Sequence, residues 1–539
     1  MKTLRCIISP VLILALFCAC NGQDPSSRRK QERPNIIFLL TDDQAYNTVG
    51  YSGNGQVKTP NIDRLAQDGI WFNNYYCTTS ICMGSRATYM TGMYEYKTGC
   101  NFMHGPLSKD KFAGSYPELL QEAGYRTGFA GKFGFAVKED PNSGSGYNDY
   151  GVMPVDEFDW WAGGPGQTKY ETAQNKYIAR YAEECPHSSR AYGAAAQDFI
   201  KESVMDGRPF CLSVSFKAPH GPLSPDPVFD TVYENTIFDK PVNYGRESAG
   251  HLALQSKLGR QYLRLFGGDY MKKFQESYRK YHQLIYGVDY AVGMIREELE
   301  RQGIADNTVI IFTSDNGYNL GSHGFGGKVL PYEEGCRAPL IVFDPRSRSA
   351  GKKWHNEAVT GNTDIAPTII ELAGLPVPEN MDGESLLPAL EDPDVDFREA
   401  LPVIQAWGSA PNLAFSLVTE EWKYIYWYFG DNMDPAEELF DLRNDPYEMK
   451  NMVAEESAKK VLEEMRKLYD SEIQRWKDEA VTTGHYKEFG TLFDRHVPWA
   501  QKEDLIPGQF LKVYSREVEH TGYSGAPDNY SEVIKHLQE

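Results

Sequence analysis

Two apolar runs in this chain each end in acidic side chains. Asn35-Ile36-Ile37-Phe38-Leu39-Leu40 leads into Thr41-Asp42-Asp43, and Thr308-Val309-Ile310-Ile311-Phe312 leads into Thr313-Ser314-Asp315-Asn316-Gly317. Three carboxylates and an amide form an oxygen-rich set suited to a hard divalent cation, calcium or magnesium. Taken singly, an Asp after a strand equally caps a helix or opens a turn; it is the pair of clusters that suggests a metal. A third element is Tyr76-Cys77-Thr78-Thr79-Ser80-Ile81-Cys82-Met83-Gly84-Ser85-Arg86. Cys82 stands at the start of an expected helix, whose exposed N–H groups favour an anion, and Arg86 one turn on returns to the same end. A lone cysteine is more often an inert core residue. Cys77 and Cys82 lack the four-ligand pattern of a zinc site.

These groups need a scaffold that brings them to one crevice. The continuous apolar runs at 35–40, 210–216, 308–312 and 339–343 read as strands buried on both faces of a parallel sheet. Helical patterns lie between them at 60–68, 116–123, 281–302 (ending at Gly303) and 364–372. Strands alternating with helices give α/β with a large, mostly parallel sheet flanked by helices. Ligands in such sheets bind at the carboxyl ends of the strands, where both acidic clusters fall. After about residue 400 the pattern becomes short alternating strands, 415–418 and 422–427, then a charged helix over 454–477. This predicts a smaller antiparallel α+β subdomain over 401–539, beside a catalytic domain over 33–400. Trp160-Trp161 falls in an expected irregular insertion, either as sugar-stacking faces on the crevice rim or as core anchors.

The 539 residues are 41% hydrophobic and 24% charged, which excludes a polytopic membrane protein and a mostly disordered chain. A formal charge of −20 argues against nucleic acid as a partner. Lys2 and Arg5 precede a short apolar run at 6–18, the pattern of a signal peptide over 1–19 rather than a spanning helix. Phe17-Cys18-Ala19-Cys20 resembles a bacterial lipobox, with a polar tether over 20–32 behind it. Lipid on Cys20, or plain cleavage near Ala19, both export the chain, as a periplasmic protein or an outer-membrane lipoprotein of a bacterium. Nine cysteines in so long an exported chain are no disulfide framework.

Taken in order, these motifs resemble the formylglycine-dependent sulfatases of the alkaline-phosphatase superfamily. The family signature Cys-X-Pro/Ala-Ser-Arg is similar to Cys82-Met83-Gly84-Ser85-Arg86, with Thr91-Gly92 behind it. Arg33-Pro34-Asn35-Ile36 with Asp42-Asp43 resembles the opening strand and metal pair, Gly131-Lys132 the lysine turn, and Pro219-His220 the sulfate-site histidine. Asp315-Asn316-Gly317, with Lys328 and Tyr332-Glu333 beyond, resembles the second metal segment. Glu438-Leu439-Phe440-Asp441-Leu442, Asp445-Pro446 and Asn451 resemble the C-terminal subdomain. This many motifs in order are more specific than any one of them.

The resemblance implies hydrolysis of sulfate esters on carbohydrate, of glycosaminoglycan or mucin type. A maturing enzyme would oxidise Cys82 to formylglycine, whose hydrated aldehyde attacks sulfur with one hydroxyl and expels sulfate with the other. Calcium would be held by Asp42, Asp43, Asp315, Asn316 and the modified Cys82. Arg86, Lys132 and Lys328 would neutralise developing charge, and His220 would protonate the leaving alcohol.

Two positions depart from the family pattern. Gly84 stands where proline or alanine is usual, and Gly134 stands where many members carry a histidine assigned to sulfate elimination. Some hexosamine 6-sulfatases share the second departure, which points to a hexosamine substrate. His104 and His323 are candidate substitutes, each read first as a structural or surface histidine. Three rival readings stay open: a phosphodiesterase or phosphonate monoester hydrolase of the same superfamily, a sulfated-glycan-binding protein without turnover, and a phosphatase using Cys82 as thiolate.

Overall fold

Asn35–Asp42 is apolar on both faces because it lies in the middle of an eight-stranded sheet. The computed structural model describes residues 33–511; the expected signal and tether, Cys20 included, and the chain beyond 511 lie outside the described residues. In chain order the sheet's strands are Asn35–Asp42 (β1), Ile70–Phe72 (β2), Arg126–Lys132 (β3), Trp160–Gly164 (β4), Phe210–Pro219 (β5), Thr308–Ser314 (β6), Leu340–Phe343 (β7) and Trp354–Asn356 (β8). Across the sheet they are ordered β8-β2-β7-β6-β1-β5-β3-β4. β1 pairs in parallel with β5 and β6, and β3 with β5 and β4. The sheet is therefore mostly parallel, as expected, with β7 reversed between β6 and β2.

Successive residues of a strand point to opposite faces. Ile36, Phe38 and Leu40 pack with Met83 and Ala87 of the helix Cys82–Thr91, Leu120 of Tyr116–Glu122 and Ile369 of Ile365–Leu372. Ile37 and Leu39 pack against the other face, with Ile62 of Pro60–Asp68, Ala195 and Phe199 of Ser188–Asp206, and Val288 of Phe274–Arg301. Phe274–Arg301 begins seven residues before the expected start, because Phe274 and Tyr278 bury against Phe238 and Phe266. Gly303 follows it with φ 70°, as the pattern predicted.

Trp160 and Trp161 lie on the edge strand β4 and not in an irregular insertion. Trp160 packs on Phe199 at 5.3 Å and Trp161 stacks on Phe129 at 5.1 Å, which makes both core anchors.

The C-terminal sheet is antiparallel, in the order Leu401–Gln405 (β9), Ala414–Val418 (β10), Trp422–Trp427 (β11), Ala436–Asp441 (β12). The helix Lys459–Glu479 lays Leu462, Met465, Tyr469, Ile473 and Trp476 onto this part of the core, the three- and four-residue spacing of one helix face. Ile404 N donates to Thr78 O at 2.7 Å, tying β9 to the segment that leads into Cys82. Among the described residues no helix is long and apolar enough to cross a membrane.

Candidate active site

The marked residues leave the carboxyl ends of neighbouring parallel strands. Asp42 ends β1 and Asp43 follows it with φ 66°; Lys132 ends β3, His220 follows β5, and Asp315 and Asn316 follow β6. The β1–β5 register shifts between Leu40 and Asp42, an irregularity of the kind that re-aims a side chain at a strand end. Gly131 has φ 97°, and a Cβ there would lie 1.9 Å from Ser215 O; only glycine lets β3 close on β5 and deliver Lys132. Cys82 is the first residue of its helix, after Ile81 in extended conformation, and is buried.

Asp42 is wholly buried, and Lys132 Nζ lies 2.5 Å from its Oδ2. Arg86 Nε donates to Asp315 Oδ2 at 2.7 Å, Arg86 Nη1 donates to Lys132 O at 2.8 Å and to Ser215 Oγ, and Arg86 Nη2 approaches Asp42 at 3.9 Å. Lys328 Nζ pairs with Asp43 Oδ1 and lies 3.8 Å from Asp42 Oδ1. Asn316 Nδ2 donates to Asp43 Oδ1 at 2.8 Å. His220 Nε2 lies 3.7 Å from Asp43 Oδ2, and its Nδ1 is 2.7 Å from the Gly221 carbonyl. A carbonyl only accepts, so Nδ1 carries hydrogen and Nε2 faces the carboxylates.

These charges shift one another. Burial pushes the Asp42 carboxyl up, but Lys132, His220, Lys328 and Arg86 together outweigh it and hold Asp42 well below the usual carboxylate range. Burial, then the Asp42 charge, pushes Asp315 up to about 6 against the pull of Arg86. Burial depresses the His220 imidazole, with Asp42 and Asp43 pulling the other way. Asp42, Cys82 and Asp315 offer ligand atoms within 4.8 Å of one another, and so do Asp42, Asp43 and His220.

The structure thus brings together all nine sequence-marked residues: Asp42, Asp43, Cys82, Arg86, Lys132, His220, Asp315, Asn316 and Lys328. Cys77 is a core thiol, buried and directed at Ser314 O at 3.5 Å. His104 and His323 have both ring nitrogens enclosed by polar groups of the chain. His104 Nδ1 lies 2.6 Å from Gly484 O and Nε2 2.7 Å from Ala406 O; His323 Nδ1 lies 3.1 Å from Ser248 O, and its Nε2 3.0 Å from both Tyr447 O and Asn243 Nδ2. Their cages are built by chain far away in sequence, which no local pattern announces.

Sequence reasoning missed Gln167, Tyr147 and Lys217. Gln167 Nε2 reaches Cys82 Sγ at 3.8 Å, and Lys217 Nζ donates to Gln167 O at 3.1 Å. Burial lowers the Lys217 amine to about 8 despite the Asp42 charge. Lys217 had one signal, its place three residues before His220 on the same strand end; Gln167 and Tyr147 had none.

Residues 34–375 match the family model described as Sulfatase, and residues 321–475 match N-sulphoglucosamine sulphohydrolase, C-terminal. The chain is 27% identical over 541 residues to N-acetylglucosamine-6-O-sulfatase of Bacteroides thetaiotaomicron, covering 88% of this chain and 91% of the relative. It is 24% identical over 518 residues to an ulvan-active sulfatase of Formosa agariphila, covering 91% and 92%. A solved structure in complex with its substrate D-glucosamine-2-N,6-O-disulfate superposes with TM-score 0.69 at 26% identity, over 83% of this chain and 99% of that one. The phosphonate monoester hydrolase of Agrobacterium radiobacter shares the fold, with TM-score 0.65 at 24% identity over 82% and 96%.

Proposed function

Because the chain belongs to the sulfatase family and is a sulfuric ester hydrolase, we propose that it removes sulfate from carbohydrate, using Cys82 converted to formylglycine and a calcium ion. The observation that carries this reading is the meeting of Asp42, Asp43, Asp315 and Asn316 opposite a helix-start cysteine ringed by Arg86, Lys132 and Lys328. The residues fit a hard cation. Asp42 Oδ1 and Asn316 Oδ1 are buried without a hydrogen-bond partner, and Asp315 is raised by burial and by Asp42. A positive ion held by Asp42, Asp43, Asp315 and Asn316, with the modified Cys82, would relieve both. Gly84 fits its place too: a Cβ there would lie 2.9 Å from Thr79 Cγ2 and 3.2 Å from Glu95 Oε2, so proline or alanine would crowd this turn.

When bound, calcium supplies Lewis-acid charge and formylglycine an oxygen nucleophile that can be regenerated. The chain's own residues do the rest. Arg86, Lys132 and Lys328 stand where negative charge builds on the sulfate oxygens and neutralise it. His220 directs Nε2 into the crevice, where Asp42 and Asp43 favour its charged form against burial, and the imidazolium gives its Nε2 proton to the departing sugar oxygen. A hexosamine 6-sulfate is the proposed substrate, supported by the N-acetylglucosamine-6-O-sulfatase relative and by Gly134. Export with lipid at Cys20, a maturing enzyme acting on Cys82, and the division into 33–400 and 401–539 belong to the same proposal.

The test uses protein made in an exporting bacterial host with the maturing enzyme. The tryptic peptide 65–86 should carry the formylglycine mass at Cys82, and sulfate should be released from N-acetylglucosamine 6-sulfate. A dominant rate on phosphate diesters would replace this reading with the phosphonate-hydrolase one. Glycan binding by matured protein without sulfate release would select the binding protein.

A further inference from the structure

Two polar groups beside Cys82 are unused by the assignment above. Gln167 Nε2 donates toward Cys82 Sγ at 3.8 Å, while Gln167 Oε1 is buried with no hydrogen-bond partner. The Tyr147 hydroxyl is likewise buried, with Cys82 as its polar neighbour. Buried polar atoms are nearly always satisfied, so orphans gathered at a nucleophile point to a group that completes them.

Gln167 is held rather than loosely placed. Lys217 Nζ donates to its backbone carbonyl at 3.1 Å, and Gly166 N donates to Tyr147 O at 2.8 Å. Gly166 at φ 58° and Thr168 at φ 48° turn the chain on both sides of it. Gly134, where the family resemblance places a histidine, has no room for a side chain: a Cβ there would lie 2.4 Å from Arg86 Cδ.

Cys82 Sγ stands in for one oxygen of the modified residue. We propose that Gln167 is the hydrogen-bond partner that favours the hydrated form of formylglycine at position 82; the proposal rests on the formylglycine reading. A carboxamide presents a donor and an acceptor side by side. A geminal diol presents two hydroxyls, so Nε2 donates to one oxygen while Oε1 accepts from the other. The unhydrated aldehyde offers a single carbonyl oxygen and no donor, which leaves Oε1 orphaned. Hydration itself is balanced: the oxygen of water bonds to the aldehyde carbon, the C=O π bond opens, and one proton of the water ends on the former carbonyl oxygen. Nothing is oxidised or reduced.

An aminooxy probe reacts with the free aldehyde and not with the diol, so its rate in folded, matured protein reports the unhydrated fraction. Total formylglycine is counted on the denatured protein. Gln167→Met, which keeps the side-chain volume, should label on the order of five- to tenfold faster per formylglycine, the ratio expected for one lost buried hydrogen bond. Gln167→Ala should do the same. Faster labelling in Gln167→Ala alone would mean wider access and would overturn the proposal, as would equal rates in all three proteins. Absence of formylglycine from denatured wild type would overturn the reading of Cys82 and this proposal with it.

Discussion

Gly134 and Arg86 exclude any side chain between them: a Cβ on Gly134 would meet Arg86 Cδ at 2.4 Å and Nε at 3.2 Å, and Gly134 has φ 84°. The arginine can yield only by breaking bonds, because Asp315, Lys132 O and Ser215 all hold its guanidinium. Gly134→Ala is therefore predicted to push Arg86 off Asp315 and to lower kcat on the order of 10²-fold, the size of losing one charge-stabilising donor. Gly134→His should be no better, despite restoring the family's usual residue. Steady-state sulfate release checks both; a kcat near wild type in Gly134→Ala would show that Arg86 has room to move.

Metal removal should act on stability and turnover together. Asp42, Asp43 and Asp315 crowd negative charge around two orphaned oxygens. Chelation is predicted to stop sulfate release, and calcium to restore it and raise Tm. At a hundredfold excess over Kd the folded state gains about 2.7 kcal/mol. Asp315→Ala should abolish most of the calcium-dependent rise in Tm. An unchanged rise in that variant would place the ion elsewhere.

Much of this site was legible because strand ends and chemistry coincide. The buried runs at 35–40 and 308–312 carry their acidic residues at their own ends, and Cys82 and Arg86 are one turn apart. The antiparallel C-terminal sheet announced itself by alternation in Phe415 to Val418. The strand Arg126–Lys132 did not, since Gly128 and Gly131 erase its apolar pattern and its partners make it a strand. The helix Ser188–Asp206 is rich in small residues, and Gly193 lets it close on Ala291 and Met294. The reversed β7 was hidden too, because an apolar run carries no direction. Gln167 lies 85 residues from Cys82, so only the folded chain joins them.

The C-terminal sheet reaches the segment that carries Lys328 through a buried ion network. Lys423 Nζ, wholly buried on β11, bonds Glu333 Oε1 at 2.7 Å and Glu448 Oε1 at 2.9 Å. Glu333 lies in the same short segment as Lys328, next to which Val329 has φ 91°, a left-handed conformation that a β-branched residue rarely adopts. Lys423→Met is predicted to leave Glu333 to Arg337 alone, at 3.1 Å, and the buried Glu448 without its cation, and to cost about 3 kcal/mol. Glu448→Gln should cost far less, because burial already pushes that carboxyl up to about 8 against the pull of Lys423. Urea unfolding of the two variants gives the comparison, and equal losses would count against this account of the network.

Stability should also carry a pH signature from a carboxyl far from the crevice. Asp289, buried in the helix Phe274–Arg301, accepts from Asn61 N at 2.9 Å and Ile62 N at 2.8 Å, capping the first turn of Pro60–Asp68. Burial pushes its carboxyl up to about 7 despite those hydrogen bonds, whereas in the unfolded chain it titrates near 3.9. The raised value makes the protonated group stabilising at low pH. That contribution is lost as pH rises from about 4 to about 7, because the unfolded chain releases its proton first. Asp289→Asn keeps an acceptor for both N–H groups and cannot ionise. The difference in Tm between wild type and Asp289→Asn should therefore be small near pH 5 and move in favour of the variant by pH 7.5. A difference that stays constant across that range would mean that the hydrogen bonds from Asn61 and Ile62 hold Asp289 ionised throughout.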